Sequence, residues 1–134
     1  MTDPAVGQNH VGIENLAGHG VNSTWANRRA NIVVEPTTVA VCMAPPCGTC
    51  SRARERPIAP HLKAAGAPEP VPLRSNTWPE GLPTLRGSSL ARVIQANRLY
   101  AFFCHIAKLC IAANKAWFME NPENSILWLL PAVQ

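Results

Sequence analysis

No stretch of this chain is apolar for long enough to cross a bilayer. The most hydrophobic run, residues 102–113, is broken by His105 and Lys108 and is shorter than the roughly 20 residues a spanning helix needs. The opening Met1-Thr2-Asp3-Pro4 lacks the basic and apolar regions of a secretory signal. No internal repeat is visible, which sets repeat architectures aside. Evenly paired cysteines are missing too. The five thiols, Cys42, Cys47, Cys50, Cys104 and Cys110, are an odd set in a chain without a signal, which argues against a disulfide framework. The expectation is free thiols in a reducing, intracellular setting, with nucleus and cytoplasm left open. Residues 1–31 have no apolar run longer than two and read as a weakly ordered N-terminal segment.

What is present fits one domain. The length is 134 residues and 47% of them are hydrophobic, enough for one ordinary core and too few for two. Thirteen prolines imply long stretches without regular structure. Charge is unevenly placed. Residues 51–98 hold eight of the twelve basic and three of the eight acidic residues, a net +5 that leaves −1 for the rest. A basic middle segment suits a polyanion such as nucleic acid, or is a solvated loop.

Hydrophobic patterning predicts an α/β domain over residues 32–134. Ile32-Val33-Val34 reads as a short strand stopped by Pro36. Val39 to Met43 is a continuous apolar run, as in a strand covered on both faces. Residues 51–87 hold seven prolines and predict a long Pro/Arg-rich loop, with one helical turn around His61 to Ala65. Leu73 and Trp78 would anchor it. From Ser88 or Ser89, either of which can cap a helix, Leu90, Val93, Ile94, Tyr100, Phe103, Ala107 and Cys110 follow helical spacing. Arg92, Asn97, Lys108 and Lys115 would face water. The helix ends near Asn114, Trp117 to Met119 is the next buried strand, and Asn124 or Ser125 caps a last short helix that Pro131 ends. A strand–helix–strand unit implies parallel strands with a right-handed crossover. Both strands then end on one sheet edge, where open α/β sheets bind ligands.

That edge carries the candidate chemistry. The turn Ala44-Pro45-Pro46-Cys47-Gly48 follows the first strand and Glu120-Asn121-Pro122 follows the second. Cys47 is a candidate nucleophile, with Arg52, Arg54 and Arg56 nearby to favour its thiolate; the alternative is an inert structural thiol. Glu120, at the end of an apolar strand, is a candidate acid/base group or a capping carboxylate. Cys47-Gly48-Thr49-Cys50 also spells a Cys-x-x-Cys, which opens a zinc or redox alternative. In an extended segment Arg52, Arg54 and Arg56 would share one side and suit phosphate oxygens.

Pro45-Pro46-Cys47 resembles the proline–cysteine motif of cytosine-5 DNA methyltransferases, and Glu120-Asn121-Pro122 resembles their glutamate–asparagine–valine motif. The string from Ala44 to Glu55, with Pro72-Leu-Arg-Ser75, Asn97-Arg-Leu-Tyr100 and Glu120 to Ser125, also resembles uncharacterised methyltransferase-like proteins linked to mobile elements. The resemblance spans roughly residues 39–130. It implies a partial Rossmann-like methyltransferase sheet, Cys47 as nucleophile on cytosine carbon 6, Glu120 as the acid holding the base, and Pro46, Asn121 and the three arginines as substrate or nucleic-acid contacts. The implied partner is DNA with its base flipped out, and the implied methyl donor is S-adenosylmethionine. Gly48 stands where the family has glutamine, and Pro122 where it has valine. The cofactor half has no visible counterpart, since no strand precedes Gly18-His19-Gly20. The expected protein is thus a partial or degenerate methyltransferase-like domain. The alternatives are a non-catalytic nucleic-acid-binding module or a Cys47/Cys50 zinc or redox protein.

Overall fold

A computed structural model describes residues 30–134; the N-terminal segment, with Gly18-His19-Gly20, lies outside them. Strand β1 (Ala40–Met43) pairs in parallel with β2 (Ala116–Met119), in the register Ala40↔Ala116 to Met43↔Met119. Between them run a 3-10 turn (Arg52–Glu55), the short helix α1 (Pro60–Ala64) and the long helix α2 (Gly87–Ala112). A second 3-10 turn (Ile126–Leu129) follows β2. The parallel strand–helix–strand unit expected from the pattern is present. None of the helices among the described residues is long and apolar enough to cross a membrane.

Local chemistry accounts for most boundaries. Pro60 opens α1 at a position where its missing N–H is not needed. Gly66 closes it with φ 80°, a conformation that suits glycine, while the Gly66 and Ala67 amides donate to Lys63 and Leu62 carbonyls. Helix α2 ends before Asn114, which takes φ 51°, a left-handed geometry that asparagine tolerates. The Ser125 hydroxyl caps the last turn by accepting from the Leu127 amide. The start of α2 departs from expectation. Arg86 is its N-cap, with no side-chain cap bond, and Ser88 and Ser89 lie inside the helix.

The core has three parts, all resting on α2. Met43, Phe102, Ile106, Ala107 and Cys110 enclose Val33. Cys50, Ala96, Tyr100, Ile126, Leu127 and Leu130 form a second cluster under the strand tips. Leu73, Leu85 and Val93 pin the proline-rich segment to the start of α2. Leu73 is thus an anchor, whereas Trp78 stays exposed.

Four further expectations are corrected. Residues 30–34 are helical, not a strand. Only Val33 of that run is buried, with Ile32 and Val34 exposed, so its burial follows one face of a helical turn and does not alternate along a strand. Val39 lies outside β1 and is 81% exposed. Among the described residues the sheet is covered on one face only, and even there Trp117, paired with Val41, stays 40% exposed, so the strand expected to be buried over Trp117 to Met119 is mostly exposed. Val41, Met43 and Met119 pack against the α2 cluster, while Ala40, Cys42, Ala116 and Phe118 face solvent. Of the four residues expected in water, Arg92 and Lys108 are exposed, whereas Asn97 and Lys115 turn inward. Asn97 Nδ2 donates to the Glu80 carbonyl (2.8 Å), and Lys115 Nζ donates to the carbonyls of Thr38 (2.6 Å) and Glu35 (2.9 Å). An apolar groove of about 340 Å³ runs between β1 and α2, lined by Ile32, Val41, Met43, Leu99, Phe102 and Ile106 among others.

Candidate active site at the carboxyl edge of the sheet

Parallel register brings the two strand tips side by side. Four hydrogen bonds join the segments that follow the strands. The Glu120 amide donates to the Met43 carbonyl (2.8 Å) and Asn121 Nδ2 to the Pro45 carbonyl (2.8 Å). The Ile126 amide donates to the Cys50 carbonyl (3.0 Å) and Arg52 Nε to the Asn124 carbonyl (3.2 Å). The prolines at 45 and 46 lack N–H groups, so this turn is held through its carbonyls. Within it, the Cys50 amide bonds back to Cys47 O (2.9 Å).

Cys47 and Glu120 are both exposed at this edge. Glu120 stands in solvent because β2 emerges at the surface and only its backbone is tied down. Asn121 is half-buried, and its Oδ1 is enclosed without a hydrogen-bond partner. It is an acceptor at the site whose demand no described residue meets. Trp128 Nε1 donates to the Pro122 carbonyl (2.8 Å) and the Ser125 amide does the same (2.9 Å), which fixes the second tip.

The arginine row is also corrected. Arg52 to Glu55 form a 3-10 turn of about three residues per turn, so alternate residues do not share a side. Arg52 pairs with Glu55 Oε1 (2.7 Å) and reaches Asn76 Oδ1. Arg54 Nε donates to the Gly48 carbonyl (2.8 Å) and Nη1 to the Val71 carbonyl (3.2 Å). These two arginines brace the turn against the proline-rich segment. Arg56 is exposed and remains available to a phosphate.

Beneath the turn lies a cluster that the sequence reading missed. Arg74 is only 1% exposed. Its guanidinium donates to Thr49 Oγ1 (3.0 and 3.3 Å), Asn97 Oδ1 (2.8 Å) and the Pro79 carbonyl (2.7 Å), and it stands 5.5 Å from the Tyr100 ring centre. Burial lowers its pKa, while Cys50, Tyr100 and Glu80 act against that shift. Tyr100 donates to the Pro46 carbonyl (2.6 Å), and its hydroxyl lies 3.2 Å from Thr49 Oγ1. Burial first, then the neighbouring Cys50 thiol, push its phenol well above the ordinary value of 10.0. The available signals were the positions of Arg74 in Pro72–Ser75 and of Tyr100 in Asn97–Tyr100. Nothing local in the sequence marks them as partners.

The Cys-x-x-Cys does not form a paired site. Cys47 is exposed, whereas Cys50 is fully buried in the cluster under the tips. Among the described residues no group of three or more His, Cys, Asp or Glu side chains could hold a metal ion. Cys104 and Cys110 are buried on α2, and burial raises both thiols. The apolar groove beside β1 does not suit S-adenosylmethionine either. Its lining holds neither a carboxylate for a ribose or an amino group nor a glycine-rich turn. No protein-family model, no curated protein and no solved structure matches this chain.

Proposed function

We propose that this chain is a partial or degenerate member of the cytosine-5 DNA methyltransferase type, and that its described part is the base-capturing edge of a Rossmann-like sheet. The observation that carries the reading is the pairing of Met43 with Met119. It sets Pro45-Pro46-Cys47 against Glu120-Asn121-Pro122 on one edge, with thiol and carboxylate both open to solvent. Five free cysteines fit a reducing, intracellular compartment. The basic segment supplies DNA contacts, with Arg56 and Arg92 among its exposed cations.

In this reading the Cys47 thiolate adds to carbon 6 of a flipped cytosine. A carbon–sulfur bond forms and the 5,6 double bond opens. Its electrons move into the ring towards N3, where Glu120 shares a proton, and the other Glu120 oxygen accepts from the exocyclic amine. No methyl-transfer step is assigned, because the apolar groove beside β1 does not fit the donor.

The addition can be tested without a methyl donor. A duplex containing 5-azacytosine accepts a thiolate at carbon 6 and a proton at N5. The intact chain is expected to form a denaturant-stable adduct with it, absent in Cys47→Ala and about a hundredfold or more slower in Glu120→Gln, the range typical of a lost acid/base group. An intact chain that forms no adduct, with Cys47 shown to be alkylatable, overturns the reading.

A further inference from the structure

We propose that Arg74, Thr49 and Tyr100 form a one-way chain of hydrogen-bond donors that holds the Pro46–Cys47 peptide, and that they are positioning residues for the Cys47 thiol. This inference rests on the reading above for what the thiol attacks. The direction of donation follows from counting hydrogens. A guanidinium only donates, so Thr49 Oγ1 accepts from Arg74 Nε and Nη2. Tyr100 has one hydroxyl hydrogen, and at 2.6 Å it goes to the Pro46 carbonyl. The 3.2 Å contact between Thr49 and Tyr100 is then made by the Thr49 hydrogen. Each bond therefore points from the buried cation towards the carbonyl beside Cys47. Donors aligned head to tail polarise one another, and a low-dielectric site strengthens them.

Placement supports a role in holding the turn. Thr49 is in the turn itself, Tyr100 is mid-way along α2, and Arg74 is in the proline-rich segment. Three separate parts of the chain are thus linked, through Tyr100, to one carbonyl. Asn97, one turn before Tyr100 on α2, accepts from Arg74 and donates to the Glu80 carbonyl (2.8 Å each), which locks the guanidinium from the far side. A core made only for stability could fill this volume with apolar side chains. The polar chain adds a defined position for a turn whose two prolines offer no N–H to hold it.

Amide hydrogen exchange on the full chain tests the clamp. The Cys50 amide, bonded to Cys47 O, reports opening of the turn, and the mid-helix amide of Ile106 reports global opening. Tyr100→Phe and Thr49→Val are expected to speed Cys50 exchange about fivefold more than Ile106 exchange, the scale of one lost hydrogen bond. Thr49→Ser, which keeps the hydroxyl, is expected to restore protection. Equal acceleration at both amides, or no rescue by serine, overturns the inference. Trapping by the 5-azacytosine duplex then reads the purpose of the clamp. Tyr100→Phe is expected to trap at least tenfold more slowly while iodoacetamide labels Cys47 at the normal rate and leaves Cys50 unlabelled. Unchanged trapping overturns the positioning role. Failure of the unaltered chain to trap is a different result, and it removes the functional reading while the exchange ratios still decide the clamp.

Discussion

Met43 and Met119 end their strands in an edge tied by backbone amides, an asparagine and a buried arginine hub. Ala40, Cys42, Ala116 and Phe118, on the same two strands, lie bare to solvent. Parallel sheets are normally covered on both faces, so the bare face is the exception. The contrast shows where this chain concentrates its order. Polar groups lock the strand tips, and apolar side chains of the same strands are left uncovered by the described residues. That distribution suits a domain whose edge has a task and whose sheet is only partly clothed by its own described residues.

The largest expected break in this contrast is Arg74→Ala. It strands Thr49, Asn97 and the Pro79 carbonyl and leaves a hole, and each buried group left unsatisfied costs about 1–3 kcal/mol. A loss of about 4 kcal/mol by urea denaturation is expected. Arg74→Lys is expected to recover less than half of it, since an ammonium cannot reproduce the fork. A loss under about 1 kcal/mol would mean that the hub does not hold the edge.

A second pair of substitutions sets one face against the other. Met43→Ala removes a buried side chain (3% exposed) and is expected to cost about 3 kcal/mol. Phe118→Thr, at 58% exposed, is expected to change stability by about 0.5 kcal/mol or less. Comparable losses for the two would show that the outer face is covered after all.

Alkaline titration gives the smallest effect and the most local one. Tyr100 is the only tyrosine in the chain, so ultraviolet absorbance of the phenolate reports it alone. Its pKa is raised on folding, so the folded chain keeps the proton to higher pH than the unfolded chain. The resulting stability is intact below the unfolded value of about 10 and falls as pH rises from there towards the folded value. Ionisation of Tyr100 is therefore expected to coincide with alkaline unfolding. A phenol that ionises near pH 10 in the folded protein would contradict its burial in the hub.

Several elements were legible because their causes are local. The strand over Val41 to Met43, the helix through Val93 and Cys110, the strand from Trp117 and the serine-capped turn at Ser125 all declare themselves by apolar spacing or capping chemistry. The parallel strands with both tips on one edge followed from the strand–helix–strand order. Ile32-Val33-Val34 was misread because a three-residue apolar run carries no period that separates strand from helix. The arginine row at 52–56 was misread because its alternation has meaning only if the backbone is extended, and the backbone turns. Exposure of Glu120 and of the outer sheet face was hidden because an apolar sequence reports what could be buried, and does not report whether anything is there to bury it.

Residue order alone determined that two short parallel strands flank a long helix, and that a cysteine and a glutamate follow those strands, because hydrophobic period and chain-breaking prolines act over a few neighbouring residues. Tertiary structure decided that Arg74, from the proline-rich segment, sits under the Cys47 turn and bonds to Thr49 beside Tyr100. Those three residues are up to 51 positions apart, and no short-range preference can bring them together. Only the folding of the loop onto the helix creates the dry pocket in which a guanidinium must find all its acceptors.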